Sequence, residues 1–66
     1  MRVTVNGQSL ELTATLTVRG LIEHLALTDG PVAVEVNREI VPRAQHGERA
    51  LVEGDVVEIV HLVGGG

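Results

Sequence analysis

The sequence predicts an α+β domain in which one helix covers one face of a small sheet. Three features predict it. An Asn6-Gly7 pair sits between two short alternating runs. A capped stripe of apolar residues at helical spacing follows at residues 17–25. The remaining apolar runs are short and bounded by turn residues, and the last of them leads straight into Gly64, Gly65 and Gly66. With 66 residues there is room for one small domain. Residues 1–63 are expected to fold, and residues 64–66 to form a flexible, reactive C-terminal tail.

Residues 1–12 read as a hairpin. Both central positions of a type I′ turn need positive φ, and Asn-Gly supplies them. A two-residue loop sets Val5 opposite Gln8, Val3 opposite Leu10 and Met1 opposite Leu12 on one face. The other face pairs Thr4 with Ser9 and Arg2 with Glu11. Turn chemistry and hydrophobic pattern agree on this register. Thr17 is the expected helix N-cap, ahead of Val18, Leu21, Ile22 and Leu25 at i, i+3, i+4 and i+7. Leu16, before the cap, is placed to staple onto Leu21. Gly20 weakens this helix by about 1 kcal/mol relative to alanine, so the helix depends on packing. Asp29-Gly30-Pro31 closes the unit, since proline cannot continue a helix.

Residues 32–36 alternate, with Val32, Val34 and Val36 inward. Asn37-Arg38 is a turn, and residues 39–41 return as a short strand. Its register stays open at this point. A two-residue loop puts Val41 inward and Ile40 outward, whereas a longer loop reverses them, and Arg38 lacks glycine's tolerance of positive φ. Pro42 ends ladder pairing or marks an edge. Residues 43–49 read as a polar loop, Leu51 as a core plug, and Glu53-Gly54-Asp55 as a turn into the final strand. On that strand Val57 and Ile59 share one face. Val56, Val60 and Leu62 share the other, with Glu58 between them. One helix covers one face of a sheet. A central position for this strand would therefore leave Val56, Val60 and Leu62 uncovered, as a docking surface for a partner.

Composition narrows the functional classes. There is no cysteine, hence no disulfide, thiolate nucleophile or cysteine-based metal site. Hydrophobic residues make up 44% of the chain and none is aromatic, so the core is aliphatic. The net charge is −4, lysine is absent, and the arginines Arg2, Arg19, Arg38, Arg43 and Arg49 are scattered. Without a basic patch, or aromatic side chains on which bases could stack, nucleic-acid binding is not expected. No apolar run is long enough to span a membrane and nothing resembles a signal peptide, so the expectation is a soluble cytoplasmic protein with no membrane partner. His24, His46 and His61 join no carboxylate motif, so neither a catalytic constellation nor a metal site is expected. The nine acidic residues are expected on the solvated surface. The glycine tail is the exception to this blandness. Three extended residues reach about 10 Å, without side chains to block entry into a narrow channel. Glycine also lacks a stereocentre, so an activated acyl group at Gly66 cannot epimerise. In the free protein the tail is expected to be disordered, because ordering it costs much entropy.

Several stretches carry a closer resemblance. They are Asn6-Gly7 after a short first strand, residues 17–25 (TVRGLIEHL), residues 36–43 (VNREIVPR), residues 53–59 (EGDVVEI), and the terminal glycines. Together they resemble the ThiS family, the sulfur carriers of thiamine thiazole biosynthesis, over nearly the whole chain. One departure is the third glycine, Gly64, before the terminal pair. The resemblance implies a ubiquitin-like β-grasp, a mixed sheet with the helix packed across it. It implies a carrier and co-substrate, not an enzyme, with no bound cofactor and a monomeric free state. An E1-like adenylating enzyme would use ATP and Mg²⁺ to adenylate the Gly66 carboxylate. Sulfur from a cysteine desulfurase or relay protein would displace AMP and leave a thiocarboxylate, which donates sulfur to thiazole synthase. Gly64 and Gly65 would serve tail recognition. Three alternatives remain at this point: a carrier for molybdopterin or cysteine synthesis, a ubiquitin-like modifier, and a binding module with a passive tail.

Overall fold

Five strands form a single sheet in the computed structural model, which describes residues 1–62. The expectations for Gly64, Gly65 and Gly66, and the boundary after residue 63, lie outside the described residues. The strands are β1 (Arg2–Val5), β2 (Gln8–Glu11), β3 (Val32–Val36), β4 (Glu39–Val41) and β5 (Val56–His61), in the spatial order β2-β1-β5-β3-β4. β5 runs parallel to β1 and antiparallel to β3, so the sheet is mixed and its last strand is central. The one α-helix among the described residues, α1 (Val18–His24), contributes Val18, Leu21 and Ile22 to the core. Sheet residues Val3, Val34, Val36, Val41, Val57 and Ile59 complete it, with Leu12 and Leu51 from the connections. Leu51 is the expected plug, at 1% exposure.

The first hairpin has the register that its turn specifies. Arg2 pairs with Glu11, Val3 with Leu10, Thr4 with Ser9 and Val5 with Gln8. Asn6 and Gly7 take φ of 50° and 82°. Beyond the last ladder pair, Leu12 N–H donates to the Met1 carbonyl at 2.6 Å, and the terminal ammonium donates back to Leu12 at 2.8 Å. Glu11 lies 3.1 Å from that ammonium and 3.3 Å from Arg2. The ammonium's hydrogen bond and charge, aided by Arg2, hold the Glu11 carboxyl below the usual glutamate range.

The helix begins as its cap predicts. Thr17 Oγ1 accepts the Gly20 N–H at 3.1 Å. Leu16 packs on the core, and its side chain lies over Gly20; a Cβ added there would stand 3.4 Å from Leu16 Cβ and Cδ2. The end is less regular. α1 stops at His24, well before Asp29-Gly30-Pro31. Ala26 turns into the left-handed region at φ 57°, its N–H donating to the Glu23 carbonyl and the Leu27 N–H to that of Ile22, both at 3.0 Å. Those two bonds are a Schellman motif, which usually places glycine where Ala26 stands. Glycine's absence hides this helix end in the sequence.

Residues 43–49 are more than the expected polar loop. They open with a short 3-10 helix, Arg43–Gln45, and then turn back across the start of α1. The carbonyls of Arg49 and His46 accept the N–H groups of Val18 and Arg19, each at 2.9 Å. These are first-turn donors without intrahelical partners, so the loop completes the cap that Thr17 begins. His46 is buried, with Nε2 donating to the Val41 carbonyl at 3.1 Å. A loop histidine surrounded by polar residues gave no sign of burial. Its role is to fasten the loop to the end of β4.

Candidate functional site

The candidate site is β5 and the segment that follows it, and the neighbouring strands hold β5 in two ways. Along β3 the ladder runs from Val32 opposite His61 to Val36 opposite Val57. Along β1 only Thr4 opposite Val56 and Val5 opposite Val57 are paired. Beyond that point Asn6 takes over. Its N–H donates to the Val57 carbonyl at 2.9 Å. Its side-chain amide then copies a backbone unit: Oδ1 accepts the Ile59 N–H at 2.7 Å and Nδ2 donates to the Ile59 carbonyl at 3.2 Å.

The second hairpin turn does the same at the start of β5. Asn37 N–H donates to the Val56 carbonyl at 2.7 Å, and Asn37 Oδ1 accepts the Val56 N–H at 3.0 Å. Asn37 Nδ2 donates to Asp55 Oδ1 at 2.9 Å. Asp55 departs from the expectation of a solvated acid. It is 4% exposed, its Oδ2 accepts the Val52 N–H at 2.9 Å, and the Arg49 guanidinium stands 3.9 Å away. Burial is tolerable because each carboxylate oxygen has a donor. Sequence reasoning read Asn6, Asn37 and Asp55 only as turn residues. The available signal was asparagine at the first position of both turns, since its side-chain amide can pair with a neighbouring backbone.

β5 thus leaves the sheet from a fixed position. Its last described backbone bond is the Leu62 N–H to the Pro31 carbonyl at 3.0 Å. Val57 and Ile59 point into the core, as alternation predicts. Val56, Val60 and Leu62 are exposed by 45%, 59% and 51%, and the first two lie together on the face that the helix does not cover. Ile40 adds to that face at 75% exposure. Its outward position answers the open register: Val36 pairs with Glu39, Glu35 with Ile40 and Val34 with Val41 across a two-residue loop.

The histidines do not converge. His24 and His61 are exposed, in the helix and the last strand, and His46 is committed to Val41. Among the described residues no group of three or more His, Cys, Asp or Glu side chains is placed to hold a metal ion. No helix there is long and apolar enough to cross a membrane. What the region offers chemically is a rigid central strand, an uncovered aliphatic face beside it, and the terminal glycines of the sequence directly after it.

Comparison with known proteins bears on that combination. The chain matches the ThiS family over residues 3–66, a span that includes all three terminal glycines. It is 30% identical to the sulfur carrier protein ThiS of Escherichia coli, over the full length of both chains. It is also 39% identical over its whole length to a thiazole synthase of Paramagnetospirillum magneticum, of which it spans only 20%. Among solved structures, the thiamine biosynthesis protein ThiS of Geobacter metallireducens superposes with a TM-score of 0.86 at 32% identity, with full coverage of both chains.

Proposed function

This chain belongs to the ThiS family, and from that premise we propose that it is a sulfur carrier of thiamine biosynthesis. It acts as a covalent co-substrate and performs no catalysis of its own. The observation that carries the reading is the family match reaching through Gly66, behind a strand fixed on both flanks. A carboxylate is a poor electrophile. An E1-like enzyme, with ATP and Mg²⁺, converts the Gly66 carboxylate to an acyl adenylate and releases pyrophosphate. The terminal sulfur of a persulfide, carried by a cysteine desulfurase or relay protein, then displaces AMP to give an acyl disulfide. A second thiol cleaves its S–S bond, leaving the carrier cysteine in a disulfide and the sulfur on Gly66. The Gly66 thiocarboxylate so formed is ionised at neutral pH and nucleophilic at sulfur, and it passes its sulfur to thiazole synthase. Gly64 and Gly65 thread the partner channels.

Thiazole synthase is favoured as the acceptor over enzymes of molybdopterin or cysteine synthesis. The Paramagnetospirillum magneticum thiazole synthase carries a stretch similar to this entire chain, so carrier-like and synthase sequences share one polypeptide there. Val56, Val60 and Leu62 form the docking surface, where exposed aliphatic area is otherwise unexplained. All of this chemistry belongs to the cytoplasm.

The test is the intact mass of the protein after incubation with the E1-like enzyme, ATP and a sulfur donor. The expected result is a gain equal to replacing one oxygen by sulfur, mapped to Gly66 and absent without ATP. An unchanged mass with competent partners would return the chain to a β-grasp binding module.

A further inference from the structure

The open face of the sheet carries a charge conflict inside its apolar patch. Glu35 on β3 and Glu58 on β5 are register partners. Their neighbours Val34, Val36, Val57 and Ile59 are buried, so strand alternation turns both carboxylates to the open face, where both are exposed. Directly opposed residues have Cβ atoms about 4.5–5.5 Å apart, and like charges there repel. Among the described residues neither carboxylate has an ion-pair partner. The surroundings are aliphatic. Val56 and Val60 flank Glu58 along β5, and Ile40 on β4 is the register partner of Glu35 on its other side.

We infer that the Glu35–Glu58 pair receives a basic side chain of thiazole synthase, with Val56, Val60 and Ile40 packing around its stem. The inference rests on the function proposed above and specifies the chemistry of its docking contact. Arginine suits the pair best, since its planar fork engages carboxylates in two directions and its stem packs on apolar surface. Closing the aliphatic ring around the ion pair removes water and strengthens it. A second copy of this chain fits poorly. A two-fold contact through the same face would bring another Glu35–Glu58 pair against the first.

The test measures binding of the purified chain to purified thiazole synthase by calorimetry across a range of salt concentrations. The double variant Glu35→Gln, Glu58→Gln preserves shape and removes both charges. Its melting temperature should equal or exceed that of the wild type, because repulsion is relieved. Its affinity should nonetheless fall by about tenfold or more, with a flatter salt dependence. Equal affinity with an unchanged salt slope would overturn the inference. Formation of the Gly66 thiocarboxylate is scored separately. A wild-type chain that forms it yet fails to bind the synthase overturns the inference alone, and one that does neither overturns the carrier reading as well. A wild-type dimer in sedimentation that the double variant abolishes would assign the face to a second copy, again overturning the inference.

Discussion

The two hairpins flanking β5 share a turn geometry but reach it by different means. In both, a two-residue loop holds two consecutive residues at positive φ: Asn6 and Gly7 at 50° and 82°, Asn37 and Arg38 at 54° and 70°. The first turn is favourable in its own sequence. The second forces an arginine into a region that costs a side-chain-bearing residue about 1–2 kcal/mol. What pays for this is tertiary: Asn37 is held by Asp55 and by both backbone groups of Val56. Local chemistry sets one hairpin, and the central strand imposes the other.

That difference predicts unequal responses to the same substitution. Asn37→Ala removes the Nδ2 donor from a buried Asp55 oxygen and leaves alanine at positive φ. It should destabilise the domain by about 2–4 kcal/mol, lowering the melting temperature by on the order of 10–20 °C. Asn6→Ala likewise leaves alanine at positive φ and loses the two side-chain bonds to Ile59, but it strands no buried charge. Its cost should be nearer 1–2 kcal/mol. Thermal or urea melts of the two variants measure the contrast, and equal losses would break it. Amide exchange should localise the Asn6→Ala effect to Ile59.

Arg38→Gly sharpens the comparison by making the second turn locally favourable. With the anchors of Asn37 intact, it should stabilise the protein by about 1 kcal/mol. A neutral or destabilising result would mean that the Arg38 stem packs usefully, which its exposed position argues against.

The same contrast explains what was legible in the sequence. The first hairpin and its register, the Thr17 cap and the two faces of β5 each follow from local pattern, and each stands as expected. The ThiS resemblance was legible because its stretches combine with the terminal glycines. The register of β3 and β4 was not, because Asn37-Arg38 gains its shape from Asp55, far away in sequence. Ala26 hid the helix end for a different, local reason: two bonds to the turn before it hold a left-handed backbone where glycine, the usual sign, is absent. Burial of Asp55 depends on Asn37, and the placement of His46 on the start of α1, and only folding brings these near. Of the candidate site, the uncovered face could be read from alternation once β5 was taken as central. For the asparagine grips only the residue type was legible, not the partner, because they join a turn to a strand across the fold.

The smallest effect lies at the open end of the first hairpin, which is closed by charge. The ammonium, with help from Arg2, holds the Glu11 carboxyl below its ordinary value. A group whose pKa falls on folding stabilises the folded state once it is ionised. This contribution is therefore complete above the range where a free glutamate titrates, and it drains away as the pH falls through the lowered value of Glu11. Because Glu11 is exposed, the effect should be modest and should shrink with added salt. Glu11→Gln should leave the neutral-pH melting temperature slightly reduced and flatten its decline in acid. Carboxyl shifts followed by NMR should place Glu11 below the value of a free glutamate. An acid limb of the same depth in both proteins would show that the terminal charge lock adds nothing to the hairpin that its turn has not already secured.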